Sequence, residues 1–317
     1  MKEVILFLIG IVLLIFGADF LIKGASSLAK KFKLRTWVVG ITIVAFGTTM
    51  PELMVTLFSA ASDAPQIALG NIIGSNISNI LLILGIMATI GKVRQKKSVS
   101  KIELPFAFLA PLVLIILSTR FFTTTKDAYL SRLDGIILLI FLGVFFYYIV
   151  RQRKYYKGKM EEAQILERKT MAIIAMIIVG SISLYFGGRL VVDGAIFIAK
   201  SLGWSQFLIS ATIIAVGTSI PELAVGITAV IKHEVGISIG NILGANTLNI
   251  FWTLGLGSIL RPLLVPQFIS FDITISIIAT GLFAFFLLRG EPELDRRHGI
   301  AFLLLYVLYI GTLIIRG

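Results

Sequence analysis

The sequence predicts an all-α membrane protein, with ten transmembrane helices in two inverted-topology five-helix repeats. Three observations predict it: the composition, a series of ten apolar segments, and an internal repeat. Of 317 residues, 57% are hydrophobic and 15% are charged, whereas a soluble domain carries about 25% charged residues. A surface this apolar is suited to a bilayer rather than to water. The absence of cysteine excludes disulfides, thiolate metal sites and cysteine nucleophiles. The net charge of +12 sits in short Lys/Arg runs between apolar spans, the pattern of cytoplasmic membrane loops. No aromatic-basic module for nucleic acid accompanies it.

The apolar segments fall at 4–26, 36–62, 66–90, 102–119, 133–150, 170–199, 206–231, 235–259, 267–289 and 298–316. Most are long enough to cross a hydrocarbon core, which takes about 20 helical residues. The opening "MKEVILFLIGIVLLIFG" imitates a signal peptide, but it lacks a clear small-x-small cleavage site and its apolar run continues beyond.

The repeat appears on shifting the sequence by 170 residues. Gly17 then meets Gly187, Gly24 meets Gly194, Thr42 meets Thr212, Pro51 meets Pro221 and Glu52 meets Glu222. Gly74, Asn76 and Asn79 meet Gly244, Asn246 and Asn249. The first segment thus has a counterpart and belongs to the fold. The expected units are a first repeat at 1–150, a cytoplasmic linker at 151–169 and a second repeat at 170–317. Homologous halves with an odd number of crossings must lie upside down to one another, the plan of many secondary transporters.

Basic residues orient the chain. Twenty of the 29 Lys and Arg lie in the loops after segments 1, 3, 5, 7 and 9, and seven lie on the other side. By the positive-inside rule both termini face outward in the cell membrane and the linker is cytoplasmic. The linker is read as a solvated connector, with anionic-lipid contact as the functional alternative.

Glu52 and Glu222 sit in "AFGTTMPELMV" and "AVGTSIPELAV", both apolar surroundings. Holding a charge at bilayer depth costs about 3 kcal/mol or more, so each needs a cation, a partner or a proton. No Lys or Arg lies in the same helical stretch. The bland alternative is a protonated glutamate that only links helices. The local chemistry favours a cation cage. Thr48, Thr49 and Glu52 share a helix face. Pro51 has no N–H to offer the Gly47 carbonyl, and Gly47 is free to unwind, so carbonyls from Ala45 to Gly47 are expected to be released. Ala215, Gly217, Thr218, Ser219, Pro221 and Glu222 repeat the arrangement. Carboxylate, hydroxyl and carbonyl oxygens suit Na⁺ or Ca²⁺. On the following segment Asn71, Ser75 and Asn79 form a polar stripe at four-residue spacing, and Asn241, Ala245 and Asn249 answer it. Gly70 and Gly74 form a small-x-x-x-small face.

With "GTTMPEL" and "GNIIGSNISNI" in one half and "GTSIPEL" and "GNILGANTLNI" in the other, the chain resembles the cation/calcium exchanger superfamily, specifically its sodium/calcium exchanger branch. The resemblance implies ten helices, alternating access, and exchange of Na⁺ for Ca²⁺ at the midplane between the two glutamates. It implies as ion ligands the Ala45 carbonyl, Thr48, Thr49, Glu52, Ser75 and Asn79, with the Ala215 carbonyl, Thr218, Ser219, Glu222 and Asn249. Na⁺ and Ca²⁺ are then cargo, no catalytic residue or cofactor is expected, and membrane lipids are the other partners. Ala245 stands where the family pattern expects a hydroxyl, and Asn79 and Asn249 stand where some relatives carry Asp. The cluster therefore has two formal negative charges.

Proton/calcium exchange, with H⁺ competing for the glutamates, is the nearest alternative. A cation channel and an intramembrane enzyme are more distant, since duplicated halves favour alternating access and no nucleophile accompanies the acids. Asp19 with Lys23, and Arg189 with Asp193, are expected to form i, i+4 pairs. Trp37 and Trp204 are expected at the membrane interface. Asp134, Asp272 and His298 are expected at helix ends, and His233 in a loop.

Overall fold

The computed structural model describes residues 2–32, 34, 36–61, 66–94, 97–118, 129–152, 169–201, 215–266, 268–288 and 293–316. Most of the expected linker (153–168), the start of the seventh segment with Trp204 and Thr212, and the loop cations Lys33, Arg35, Lys96, Arg120, Lys126 and Arg289 lie outside the described residues.

The described residues are helical nearly throughout. α1 (Lys2–Lys31) and α6 (Thr170–Ser201) are long and uninterrupted. They pack antiparallel along glycines spaced by seven, which is two turns on one helix face. A Cβ on Gly17 would lie 2.9 Å from the Gly180 carbonyl oxygen, and one on Gly10 would lie 3.0 Å from that of Gly187. Without a water-driven hydrophobic effect, such backbone-to-backbone approach is a main source of helix association in lipid.

α2 is broken. Thr36–Thr48 and Met50–Ala61 meet at a bend of 44°. α3 (66–90) and α8 (235–260) are continuous but carry π-helical turns at Ser78–Ile83 and Asn249–Leu254. α4 (Lys97–Ser118) contains Pro105 and Pro111. α5 spans Arg132–Gln152, α9 Ile269–Leu288 and α10 Arg296–Arg316. α7 is a short turn at Ala215–Gly217 followed by Ile220–Ile231. Among the described residues seven helices are long and apolar enough to cross a membrane, eight if the bent pair of α2 is one span. Leu104–Ser118 and Ile220–Ile231 are shorter apolar helices.

Burial sorts these helices. The apolar windows of α3 and α8 are 78% and 83% buried, against 22% to 33% for the other long spans. The two helices richest in Asn and Ser are therefore the centre of the molecule, while Ile140, Val150, Val307 and Ile315 on outer helices are exposed as lipid-facing side chains would be. α2 crosses α8 at very close range. A Cβ on Gly240 would lie 2.5 Å from the Trp37 carbonyl oxygen, and one on Gly244 2.6 Å from that of Ile41. This crossing corrects the reading of Trp37: it is 4% exposed, because α8 closes over the start of α2, and it is no interfacial anchor.

Four two-residue strands tie the helix ends. β1 (Val93–Arg94) pairs antiparallel with β4 (Glu293–Leu294), and β2 (Tyr129–Leu130) with β3 (Leu263–Leu264). Lys92 and Arg94 both pair with Glu293. Asp134 starts α5 by accepting from the Ser131 amide at 2.7 Å and its hydroxyl at 2.6 Å. His298 meets Asp295 at 2.7 Å at the start of α10. His233 ends α7 with φ 58°, a left-handed residue after a helix C-terminus.

Candidate cation-binding site

The break in α2 comes at Thr49, with φ −80° and ψ 1°, and the matching break in the second half comes at Ser219, with φ −87° and ψ 4°. Gly47 itself stays within a helical turn, which corrects the expected unwinding there. The Thr49 amide still reaches the Ala45 carbonyl at 3.0 Å. The helix fails only where Pro51 can supply no N–H to the Gly47 carbonyl. Nor is the Ala45 carbonyl released. It also accepts the hydroxyl of Thr49 at 2.9 Å, which leaves the lone pairs of that hydroxyl facing away from the backbone. The Ala215 carbonyl stands at the same position of α7, ahead of its break.

Each break aims a glutamate inward. Glu52 and Glu222 are both completely buried, and the two carboxylates are close enough to interact electrostatically. Glu52 Oε1 accepts from Ser75 Oγ at 3.0 Å. Ser75 in turn accepts from Ser219 Oγ at 3.0 Å and Asn249 Nδ2 at 3.4 Å. One residue on α3 thereby links α2, α7 and α8. No hydroxyl stands at position 245 to do the same for Glu222, and both Glu222 oxygens lack a hydrogen-bond donor.

The amides follow a reciprocal pattern. Thr48 Oγ1 donates to Asn241 Oδ1 at 3.0 Å, and Thr218 Oγ1 donates to Asn71 Oδ1 at 3.2 Å. Asn76 Nδ2 donates to the Asn246 carbonyl and Asn246 Nδ2 to the Asn76 carbonyl, each at 3.1 Å. Asn79 Nδ2 donates to Asn246 Oδ1 and Asn249 Nδ2 to Asn76 Oδ1, each at 2.9 Å. Every one of these bonds has its partner at an offset of 170 residues.

The remainder of this cluster is unusual for a protein interior. Glu52 Oε2, Glu222 Oε1 and Oε2, Asn79 Oδ1 and Asn249 Oδ1 are buried oxygens with no donor. Buried polar groups are nearly always satisfied, so a cluster of exceptions calls for a bound ion or water to complete it. Five acceptors on two carboxyl groups and two amides, with no buried cation among the described side chains around them, form a hard-oxygen environment of the kind that suits Na⁺ or Ca²⁺, beside which the Asn71 and Asn241 Nδ2 donors are also unpaired. Among the described residues no group of three His, Cys, Asp or Glu could hold a softer metal.

The residues expected from sequence are thus largely brought together. Thr48, Thr49, Glu52, Ser75, Asn79, Ser219, Glu222 and Asn249 are all buried, and Thr218 joins them through Asn71. The role of Asn76 and Asn246 was not read from the sequence, although the repeat register had already paired them. Beside the two breaks, a cavity of about 350 Å³ is lined by Pro51, Met54, Phe58, Tyr185, Thr218 and Pro221, with Arg189 and Asp193 also on its wall. Arg189 and Asp193 form the expected pair at 3.8 Å, and Asp19 meets Lys23 at 2.7 Å. Asp19 also binds Lys232 at 2.5 Å, a tie between α1 and the end of α7.

The family model for sodium/calcium exchanger proteins matches residues 2–151 and 172–315. The chain is 34% identical over 264 residues to the putative antiporter CaxA of Alkalimonas amylolytica, covering 80% of each. It is 27% identical over 341 residues to the sodium/calcium exchanger MaX1 of Methanosarcina acetivorans, covering 98% of this chain and 97% of that one. Among solved structures, the sodium-calcium exchanger NCX_Mj superposes with a TM-score of 0.82 at 30% identity, covering 98% of both chains.

Proposed function

The chain belongs to the sodium/calcium exchanger protein family, and from that premise we propose that it exchanges Na⁺ for Ca²⁺ across the membrane by alternating access. The cations bind between Glu52 and Glu222. The hydroxyls of Thr48, Thr49, Ser75, Thr218 and Ser219, the amide oxygens of Asn79 and Asn249, and the carbonyls of Ala45 and Ala215 complete the ligand set as the halves rearrange. The observation that carries this reading is the group of five buried oxygens without a donor, two of them on Glu222. One Ca²⁺ neutralises the two carboxylates, and so do two Na⁺. A third Na⁺ would make each cycle move one net charge.

Alternation of this kind calls for ten crossings in two inverted halves. Among the described residues there are seven long spans, or eight with the bent α2, and ten is reached if the two shorter apolar helices also cross. The reciprocal hydrogen bonds and the strand pairs β1–β4 and β2–β3 are what two halves related by a two-fold axis in the membrane plane would make. In this reading both termini are extracellular and the 151–169 linker is cytoplasmic.

A second reading rests on Ala245. Glu222 lacks the hydroxyl that Ser75 gives Glu52, and a proton would meet the same need, making the protein a Ca²⁺/H⁺ exchanger. The deciding experiment is Ca²⁺ uptake into proteoliposomes driven by an outward Na⁺ gradient with pH clamped on both sides. Na⁺-driven uptake is the expected result. Uptake that ignores Na⁺ and follows a pH gradient overturns the proposal in favour of the proton, and flux without any counter-ion points to a channel.

A further inference from the structure

Asn76 and Asn246 lie one position beyond the polar stripe on α3 and α8, and neither contributes an oxygen that is left without a donor. Both are buried, at 1% and 3% exposure. Their hydrogen bonds form a chain in which each amide orientation forces the next. A backbone carbonyl accepts only, so the Asn246 amide must turn its Nδ2 toward the Asn76 carbonyl, 3.1 Å away. Its Oδ1 then faces Asn79. An amide oxygen also accepts only, so Asn79 must present Nδ2 to it, at 2.9 Å. The Asn79 oxygen is thereby turned the other way, where it meets no donor. The same steps run from the Asn246 carbonyl through Asn76 to Asn249, at 3.1 Å and 2.9 Å. The direction of two amide oxygens is in this way fixed by two backbone carbonyls.

We infer that Asn76 and Asn246 are positioning residues that aim the amide oxygens of Asn249 and Asn79 at the transported cation. The inference rests on the reading of Asn79 and Asn249 as ion ligands. The chemistry requires such aiming. An asparagine has one end that attracts a cation and one that repels it, the two nearly identical in shape. An unheld ligand amide would offer NH₂ to the ion in one of its two orientations. A carboxylate has no wrong end. The reciprocal bonds also cross between α3 and α8, so both ligands are aimed only while these two helices hold their register.

The same distinction supplies the test. Partners that orient a metal ligand are typically worth 10- to 100-fold in metal affinity. Asn246→Ala is expected to raise the half-saturating Ca²⁺ concentration about tenfold or more. Adding Asn79→Asp is expected to cancel most of that rise, because Asp at position 79 needs no aiming. Asn76→Ala with Asn249→Asp is expected to behave likewise on the other side. The readouts are radioactive Ca²⁺ binding to the purified protein, half-saturating and maximal uptake in proteoliposomes, and thermal unfolding without cation.

Unchanged Ca²⁺ affinity in both alanine variants overturns the inference while leaving exchange intact. A loss of affinity or assembly that neither aspartate repairs also overturns it, since it assigns the pair to structure alone. A wild-type protein that binds no Ca²⁺ defeats the proposed function instead, which the binding arm reports before any variant is compared.

Discussion

Converting Glu222 to Gln removes one unit of charge while keeping the side chain's size, and its effect depends on the charge of the ion that it faces. Two unit charges about 4 Å apart interact by ~4 kcal/mol at an effective dielectric constant of about 20. The missing charge thus withdraws ~8 kcal/mol from a divalent ion and ~4 kcal/mol from a monovalent one. If half survives relaxation, ~4 and ~2 kcal/mol remain, or roughly three decades of affinity for Ca²⁺ and about one and a half for each Na⁺. Neither Glu222 oxygen has a donor in hydrogen-bonding geometry, although the Thr48 hydroxyl lies near enough to act on the carboxyl. Glu52→Gln is expected to be slightly milder, because the Gln carbonyl oxygen can still accept from Ser75 as Oε1 does at 3.0 Å. Both variants are expected to lose Ca²⁺ uptake in proteoliposomes. Both are also expected to unfold at a higher temperature without cation, since a buried group that is costly to ionise has gone. Equilibrium Ca²⁺ binding, with Na⁺ competition, reads the two affinities in one titration. Equal losses for Ca²⁺ and Na⁺ would refute the electrostatic reasoning, and substantial exchange in both variants would remove the glutamates from the mechanism.

Gly240→Ala places a Cβ 2.5 Å from the Trp37 carbonyl oxygen. Forcing α2 and α8 apart is expected to cost about 1–3 kcal/mol and lower the unfolding temperature, whereas Gly143→Ala, with nothing within 4 Å among the described residues, is expected to leave it unchanged or raise it slightly. Hydrogen bonds from Lys92 and Arg94 hold the Glu293 carboxyl below the ordinary carboxylate range. A depressed folded-state value contributes stability above the unfolded value, and that stability fades as pH falls through the folded one. Unfolding temperatures measured downward from pH 6 should therefore fall more steeply below the usual glutamate range for wild type than for Glu293→Gln; parallel curves would refute the linkage. With three Na⁺ per Ca²⁺, an inside-positive potential should assist Ca²⁺ uptake by about 2.3 kcal/mol per 100 mV. A potassium diffusion potential in proteoliposomes tests this, and an electroneutral response would exclude three-for-one exchange.

Most of the frame was legible because it is written in features that survive in one dimension. Apolar length marks helices, and the offset of 170 aligns Glu52 with Glu222 and Asn76 with Asn246. Proline chemistry placed the breaks to within two residues: the sequence pointed to Gly47, whereas the chain departs at Thr49 because one more turn can still close onto the Ala45 carbonyl. What remained hidden depends on which helices meet. The seven-residue glycine spacing of α1 is visible, but not that its partner is α6. Trp37 looked interfacial until Gly240 brought α8 against it. Two-residue strands such as Val93–Arg94 have no period to read. The tie from Asp19 to Lys232 joins residues far apart in the chain, so only the neighbouring Asp19–Lys23 spacing could be seen.

The division of labour within the cluster has a physical reason. Were each ligand carboxylate buried with its own cationic partner, the site would be stable and inert, since breaking a buried pair costs several kcal/mol. Here two carboxyl groups are left without any such partner among the described residues, and the other oxygens are neutral. Neutral oxygens need orientation where charges do not, and that orientation comes from bonds that cross between α3 and α8 or run back to the backbone at the breaks. On the proposed reading of these residues as ion ligands, ligand geometry is tied to helix register. A movement of one half against the other that disturbs the register disturbs the coordination with it, and a transporter must couple those two events if its ions are both to bind and to leave.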